Sequence, residues 1–155
     1  MTLQEEVHLL RRVPLFSKID PARLKLLAFT SDRLVFAADD VLFEQGQAGD
    51  AAYLILSGSA KVEIETPAGK LVVATLKEHE IVGEIAILCD VPRTATVRAS
   101  GELVALRIAK DRFFSLLAEF PEMAVEMMRE LARRLEVTTV RLREAHARLG
   151  TAGAE

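Results

Sequence analysis

The stretch SAKVEIETPAGKLVVATL, residues 59–76, holds two apolar runs on either side of a turn. In the first run Ala60, Val62 and Ile64 alternate with Lys61, Glu63 and Glu65. That period of two lays one face of a strand on a core and leaves the other in water. PAGK then places a proline and a glycine where the chain reverses, and LVVATL follows as a second strand. The spacing predicts a hairpin. Outward from it, residues 30–108 continue as short β-rich runs separated by turn residues, the pattern of an all-β roll or sandwich.

Helical signals bracket this region. Leu3, Val7 and Leu10 share one helical face, and Pro14 restricts Val13 to an extended conformation, so a short helix ends there. Asp20-Pro21 reads as an N-cap followed by proline in the first turn, opening a helix through ARLKLLAF. After the strands, AKDRFFSLLAEF has helical spacing, and Pro121 opens a last helix expected to run to about Leu149. No repeat, low-complexity tract or linker interrupts the chain. Residues 1–155 are therefore expected to form one domain: N-terminal helices over 1–29, strands over 30–108, C-terminal helices over 109–149 and a small-residue tail, GTAGAE, over 150–155.

The composition narrows the function classes. With 155 residues, 50% hydrophobic and 28% charged, the chain has the balance of an ordinary globular protein with one sizeable core. A net charge of −3 supplies no general attraction for nucleic acid or an anionic membrane, so any anion must be held in a local pocket. The lone Cys89 excludes an internal disulfide framework, and MTLQEEVHLL lacks the basic start and apolar run of a signal peptide. No apolar run approaches the roughly 18 residues needed to span a bilayer. A soluble cytoplasmic protein is expected. His8, His79 and His146 are scattered and form no metal-ligand spacing with Cys89, so no metal site is expected. AGK at Ala68 to Lys70 is a turn rather than a phosphate loop, and no general acid–base pair is visible, so the expectation is that the protein is not an enzyme. Cys89 is read as a small packed side chain.

One segment carries chemistry: GEIAILCDVPRTATVRA, residues 83–99. Gly83 follows Ile81 and Val82, and EIAIL has the length of one or two helical turns before Asp90 and Pro92 end it. The start of such a helix presents free backbone N–H groups and the positive end of the peptide dipoles, and glycine lets an anion come close. Arg93 arrives just after that helix and offers a planar fork of donors suited to two phosphate oxygens. Glu84 would repel a bound anion unless another partner occupies it, and a sugar hydroxyl is such a partner. A nucleotide fits all three residues. The same residues also fit a plainer account, in which Glu84 complements the helix N-terminus and Arg93 pairs with Asp90 on the surface.

Read as a whole, the segment closely resembles the phosphate-binding cassette of cyclic-nucleotide-binding domains, as found in catabolite-activator-type transcription factors, cAMP- and cGMP-dependent kinases and hyperpolarisation-activated channels. The resemblance covers roughly residues 10 to 145 and includes FEQGQAGDAAYLILSGSAKV, with Gly46, Gly49 and Gly58 at turn positions. It implies an α+β fold: an antiparallel β-roll (jelly roll, double-stranded β-helix) with N-terminal helices and a long C-terminal helix, the cassette spanning residues 83–96. Gly83, Glu84, Ile85 and Ala86 match the cassette helix, Glu84 the ribose-binding acid and Arg93 the phosphate-binding arginine. Thr94 stands where the family has serine, alanine or threonine. Val72 and Leu88 are expected to face the purine. The implied ligand is cAMP, with cGMP second, and no cofactor is called for. A domain of the same fold that only dimerises would show a broken cassette, whereas Gly83, Glu84 and Arg93 all stand here.

In the last helix Ala124, Met128, Leu131, Leu135, Thr138, Leu142, Ala145 and Leu149 follow alternating steps of four and three, a heptad seam that can pack on the roll, on a twin helix, or on each in part. In related proteins this helix closes over the nucleotide and passes the signal on. The implied partner is therefore another protein or a second copy. From Glu122 onward six arginines balance six glutamates, and the chain ends at Glu155 without a helix-turn-helix, so DNA binding is not expected.

Overall fold

The computed structural model describes residues 2–153. Helix α1 (Leu3–Arg12) opens with a capping box: Thr2 Oγ1 accepts from the Glu5 backbone N–H at 3.2 Å while Glu5 accepts from the Thr2 N–H. Val13 is extended, as the following proline requires, and a single 3₁₀ turn, Pro14–Phe16, leads on. Helix α2 (Pro21–Thr30) starts with Asp20 accepting from the Arg23 N–H at 3.0 Å. Eight strands follow: β1 (Asp32–Phe36), β2 (Val41–Phe43), β3 (Ala51–Ser57), β4 (Ala60–Thr66), β5 (Gly69–Leu76), β6 (Ile81–Val82), β7 (Thr96–Ala99) and β8 (Leu103–Ala109), with helix α3 (Glu84–Leu88) between β6 and β7. Helices α4 (Lys110–Glu119) and α5 (Pro121–Gly153) close the chain.

The strands form two antiparallel four-stranded sheets, in the orders β1-β8-β3-β6 and β2-β7-β4-β5. Phe43, Tyr53, Ile55, Val97 and Leu103 fill the space between them. A second core lies between the first sheet and the helices, where Leu10, Phe16, Leu24, Leu54, Leu106, Phe113, Met123 and Met127 meet. This is the α+β roll with N-terminal helices and a long C-terminal helix that the sequence implies. No helix among the described residues is long and apolar enough to cross a membrane.

Three details depart from expectation. The hairpin of residues 59–76 is present, but its alternation breaks: Val62 pairs with Ala74 and Glu63 with Val72, which leaves Val73 as the extra residue of a β-bulge. Glu63, expected in water, is buried and accepts from Arg98 Nε at 3.1 Å, a pairing that lets the strand keep a carboxylate on a covered face. Cys89, expected to be packed, is exposed at the C-terminal end of α3, because that five-residue helix ends before another turn can carry it inward.

Helix α5 departs from expectation as well. Met123 and Met127 are buried against the helical core and Leu131 packs beside them. Met128, Leu135, Leu142 and Leu149 are 61%, 68%, 69% and 72% exposed. These positions of the seam therefore face outward and do not pack on the roll. Helix α5 also continues through residues 150–153, where a tail was expected; residues 154 and 155 of that tail lie outside the described ones.

Candidate functional site

Strand β6 ends at Gly83, whose φ of +86° turns the chain into α3 and favours glycine. Space demands glycine there as well, since a Cβ would lie 2.6 Å from Arg93 Nη1 and 3.1 Å from the Phe43 ring. Behind α3, Gly49 serves by close approach: a Cβ on it would meet the Ala86 Cβ at 2.5 Å, so only glycine lets the short helix settle this near the β2–β3 loop. Gly46 and Gly58 occupy positive-φ turns, as the sequence suggests, whereas Gly49 does not.

Arg93 is 3% exposed. Its Nη1 donates to Gly83 O and its Nη2 to Ala51 O, both at 2.7 Å, and its guanidinium lies 4.0 Å above the Phe43 ring centre. The nearest carboxylate is Asp50, 3.8 Å away, which is itself held by Arg107 at 2.9 Å. The buried Nε of Arg93 has no partner among the described residues. Backbone bonds from Arg93 N–H to Gln47 O and from Gly46 N–H to Arg93 O, at 2.7 and 2.8 Å, fix the residue's position. Burial pulls its pKa below the ordinary value against the opposing influence of Tyr53 and Asp50, and a guanidinium so placed stays protonated. The surface pair of Arg93 with Asp90 does not form: Asp90 faces Lys110 at 3.6 Å.

Glu84 is 1% exposed. Its Oε1 accepts from Arg134 Nη1 at 2.8 Å, and Arg134 Nη2 donates to Ile81 O at 2.7 Å. Burial raises the Glu84 pKa above the usual carboxylate range, with the Arg134 charge acting in the other direction. Glu84 thus does more than complement a helix end, since it ties α3 to α5.

Both charges border a cavity of about 620 Å³, a size within the usual range for small-molecule sites. Gly83, Glu84, Ile85, Ala86, Arg93 and Thr94 all line it, so six of the eight residues singled out in the sequence come together. Val72 and Leu88 do not line it. The bulge substitutes Val73 for Val72, which stays half exposed on the neighbouring groove, and Leu88 packs against the helical core instead. Reading the sequence missed the wall supplied by α5, namely Arg134, Val137, Thr138 and Arg141. A polar stripe at 134, 138 and 141, with helical spacing, is the signal that was there to be found.

The pattern for "Cyclic nucleotide-binding domain" matches residues 33–120. The chain belongs to that family. It is 39% identical over 108 residues to the cAMP-dependent protein kinase regulatory subunit of Yarrowia lipolytica, covering 70% of this chain and 28% of that protein. It is 29% identical over 131 residues to the CRP-like cAMP-activated global transcriptional regulator of Mycobacterium tuberculosis, covering 84% of this chain and 58% of that one. The chain thus spans less than two thirds of either relative. Among solved structures, the catabolite activator protein of Thermus thermophilus superposes with a TM-score of 0.73 at 27% identity, covering 83% of this cyclic nucleotide-binding domain and 61% of that chain. The sensor domain of the transcriptional regulator DNR from Pseudomonas aeruginosa shares the fold, with a TM-score of 0.76 at 24% identity over 86% of this chain and 90% of that one.

Proposed function

We propose that this cyclic nucleotide-binding domain, residues 1–155 acting as one unit, is a non-catalytic cAMP sensor that binds cGMP less well. The phosphate sits on the N–H groups at Gly83 to Ala86 and takes the donors of Arg93. Glu84 accepts from the ribose 2′-hydroxyl, and Thr94 borders the phosphate. Ile85 and Val73 flank the base beside Thr138. The observation that carries this reading is the state of Arg93: a buried cation beside a cavity, with no carboxylate in hydrogen-bond range among the described residues and its Nε without a partner among them. Such a group gains most from an anion that enters the cavity. Helix α5 passes the binding event to a protein partner or to a second copy, because the side chain that holds Glu84 belongs to it and its outer seam is open. The preference for cAMP rests on what the relatives are named for binding.

A thermal-shift panel with cAMP, cGMP, AMP and ATP tests the proposal. A ligand at a hundredfold excess over its Kd adds about 2.7 kcal/mol, several degrees of Tm for a domain of this size. cAMP is expected to give the largest shift and AMP little. No shift with either cyclic nucleotide leaves the second reading, a dimerisation module of the same fold, which the open seam on α5 favours.

A further inference from the structure

We infer that Phe43 is a positioning residue for the phosphate: its ring face holds the Arg93 guanidinium in place while leaving that group's charge and N–H donors free for an incoming anion. The inference rests on reading Arg93 as the phosphate ligand, and it adds a residue outside the cassette.

A buried arginine ordinarily pairs with a carboxylate, which neutralises it and occupies its fork. Here Asp50 stands at 3.8 Å, is largely exposed and is engaged by Arg107, while Glu84, whose charge also bears on Arg93, is held by Arg134. What covers Arg93 instead is Phe43, 4.0 Å from its guanidinium carbon, well inside the roughly 6 Å over which a cation and an aromatic face attract. A ring face fixes the plane of the guanidinium but accepts none of its in-plane N–H bonds. Two carbonyls take one bond from each Nη, which leaves three of the five donors uncommitted, Nε among them. Phe43 is in turn fixed: it is 8% exposed, its ring centre is 5.8 Å from that of Tyr53, and it borders the cavity. The glycine at 83 completes the arrangement, because a Cβ there would strike both the guanidinium and the ring.

Phe43 also belongs to the core between the sheets, so a test must separate ring electronics from packing. Phenylalanines carrying one, two and three ring fluorines at position 43 keep the shape and progressively weaken the attraction of the face for a cation. Calorimetry with cAMP on this series is expected to show a stepwise loss. Phe43→Leu is expected to lose about five- to thirtyfold, and Phe43→Tyr to stay within about threefold of wild type. In an Arg93→Leu background the fluorine series is expected to have no effect. Equal affinity across the series, or a wild-type affinity for Phe43→Leu, overturns the inference. If the unmodified protein binds no cyclic nucleotide, the reading of the site falls while this inference is still judged in the ligand-free protein. There the Arg93 Nε–H NMR signal is expected to be sharp and slow to exchange in wild type and Phe43→Tyr, and fast to exchange in Phe43→Leu. An unchanged signal in Phe43→Leu overturns it.

Discussion

Arg93 and Glu84 pose one problem between them: how to keep a cation and an anion buried beside one cavity without letting them cancel. The chain solves it by giving each a different keeper, carbonyls and a ring for Arg93, and a guanidinium from α5 for Glu84. Two outcomes follow for Glu84. If it accepts from the ribose hydroxyl, 2′-deoxy-cAMP binds worse than cAMP by about 1–3 kcal/mol, and Glu84→Ala removes most of that difference; calorimetry with both ligands on both proteins reads it. A carboxyl accepts such a bond fully only when ionised, and burial has raised its pKa. Affinity is therefore expected to rise with pH and to be lost as the pH drops through a value above the ordinary 4.3 or so of a glutamate. In Arg134→Met, with the opposing charge gone, the fall is expected to start at a higher pH, and an identical pH profile in the two proteins counts against the Glu84 assignment. At this scale the cassette was legible because its residues are consecutive and each has a chemical reason to be where it is. Val72 was not, because one extra residue in β5 swaps the inward-facing position to Val73, and nothing in LVVATL announces a bulge. Arg134 was hidden by distance: fifty residues separate it from the acid it meets.

Helix α5 shows the limit of periodicity as a guide. A heptad pattern states that a stripe exists but not what covers it, and here two neighbouring stripes carry the helix. Met123, Met127 and Leu131 dock on the helical core, Arg134 and Thr138 reach the cavity, and Met128, Leu135, Leu142 and Leu149 point away. Leu135→Asp is thus expected to leave the unfolding free energy of the monomer within about 1 kcal/mol of wild type, since it adds a charge at an exposed site. If the open seam pairs two copies, the same substitution shifts the sedimentation of the protein toward a lighter species. Hydrogen exchange over residues 128–142 is expected to slow on adding cAMP, because Arg134 and the cavity wall belong to this helix. A monomeric wild type whose α5 exchange is indifferent to ligand would remove α5 from the output path. The short N-terminal helices were easier to read, since Pro14, Asp20 and Pro21 mark their ends by local chemistry that tertiary contacts do not override, although the Thr2 cap of α1 went unread.

Over the whole molecule, the two sheets enclose one core and the helices another, and the cavity opens where strands, α3 and α5 meet. The roll was legible as a class from alternation and turns, while the order in which its strands pair rests on contacts between distant segments that no local pattern encodes. The family assignment covers residues 33–120, which hold the strands, the cassette and α4, while α1, α2 and α5 lie outside that range. What unites these levels is the claim that Arg93 is held ready for a cyclic phosphate, and one titration addresses it directly. Calorimetry of cAMP into wild type is expected to show one site per chain, and Arg93→Leu, verified as folded by its melting curve, is expected to bind about 2–5 kcal/mol more weakly. A folded Arg93→Leu that binds cAMP as wild type does would contradict the account.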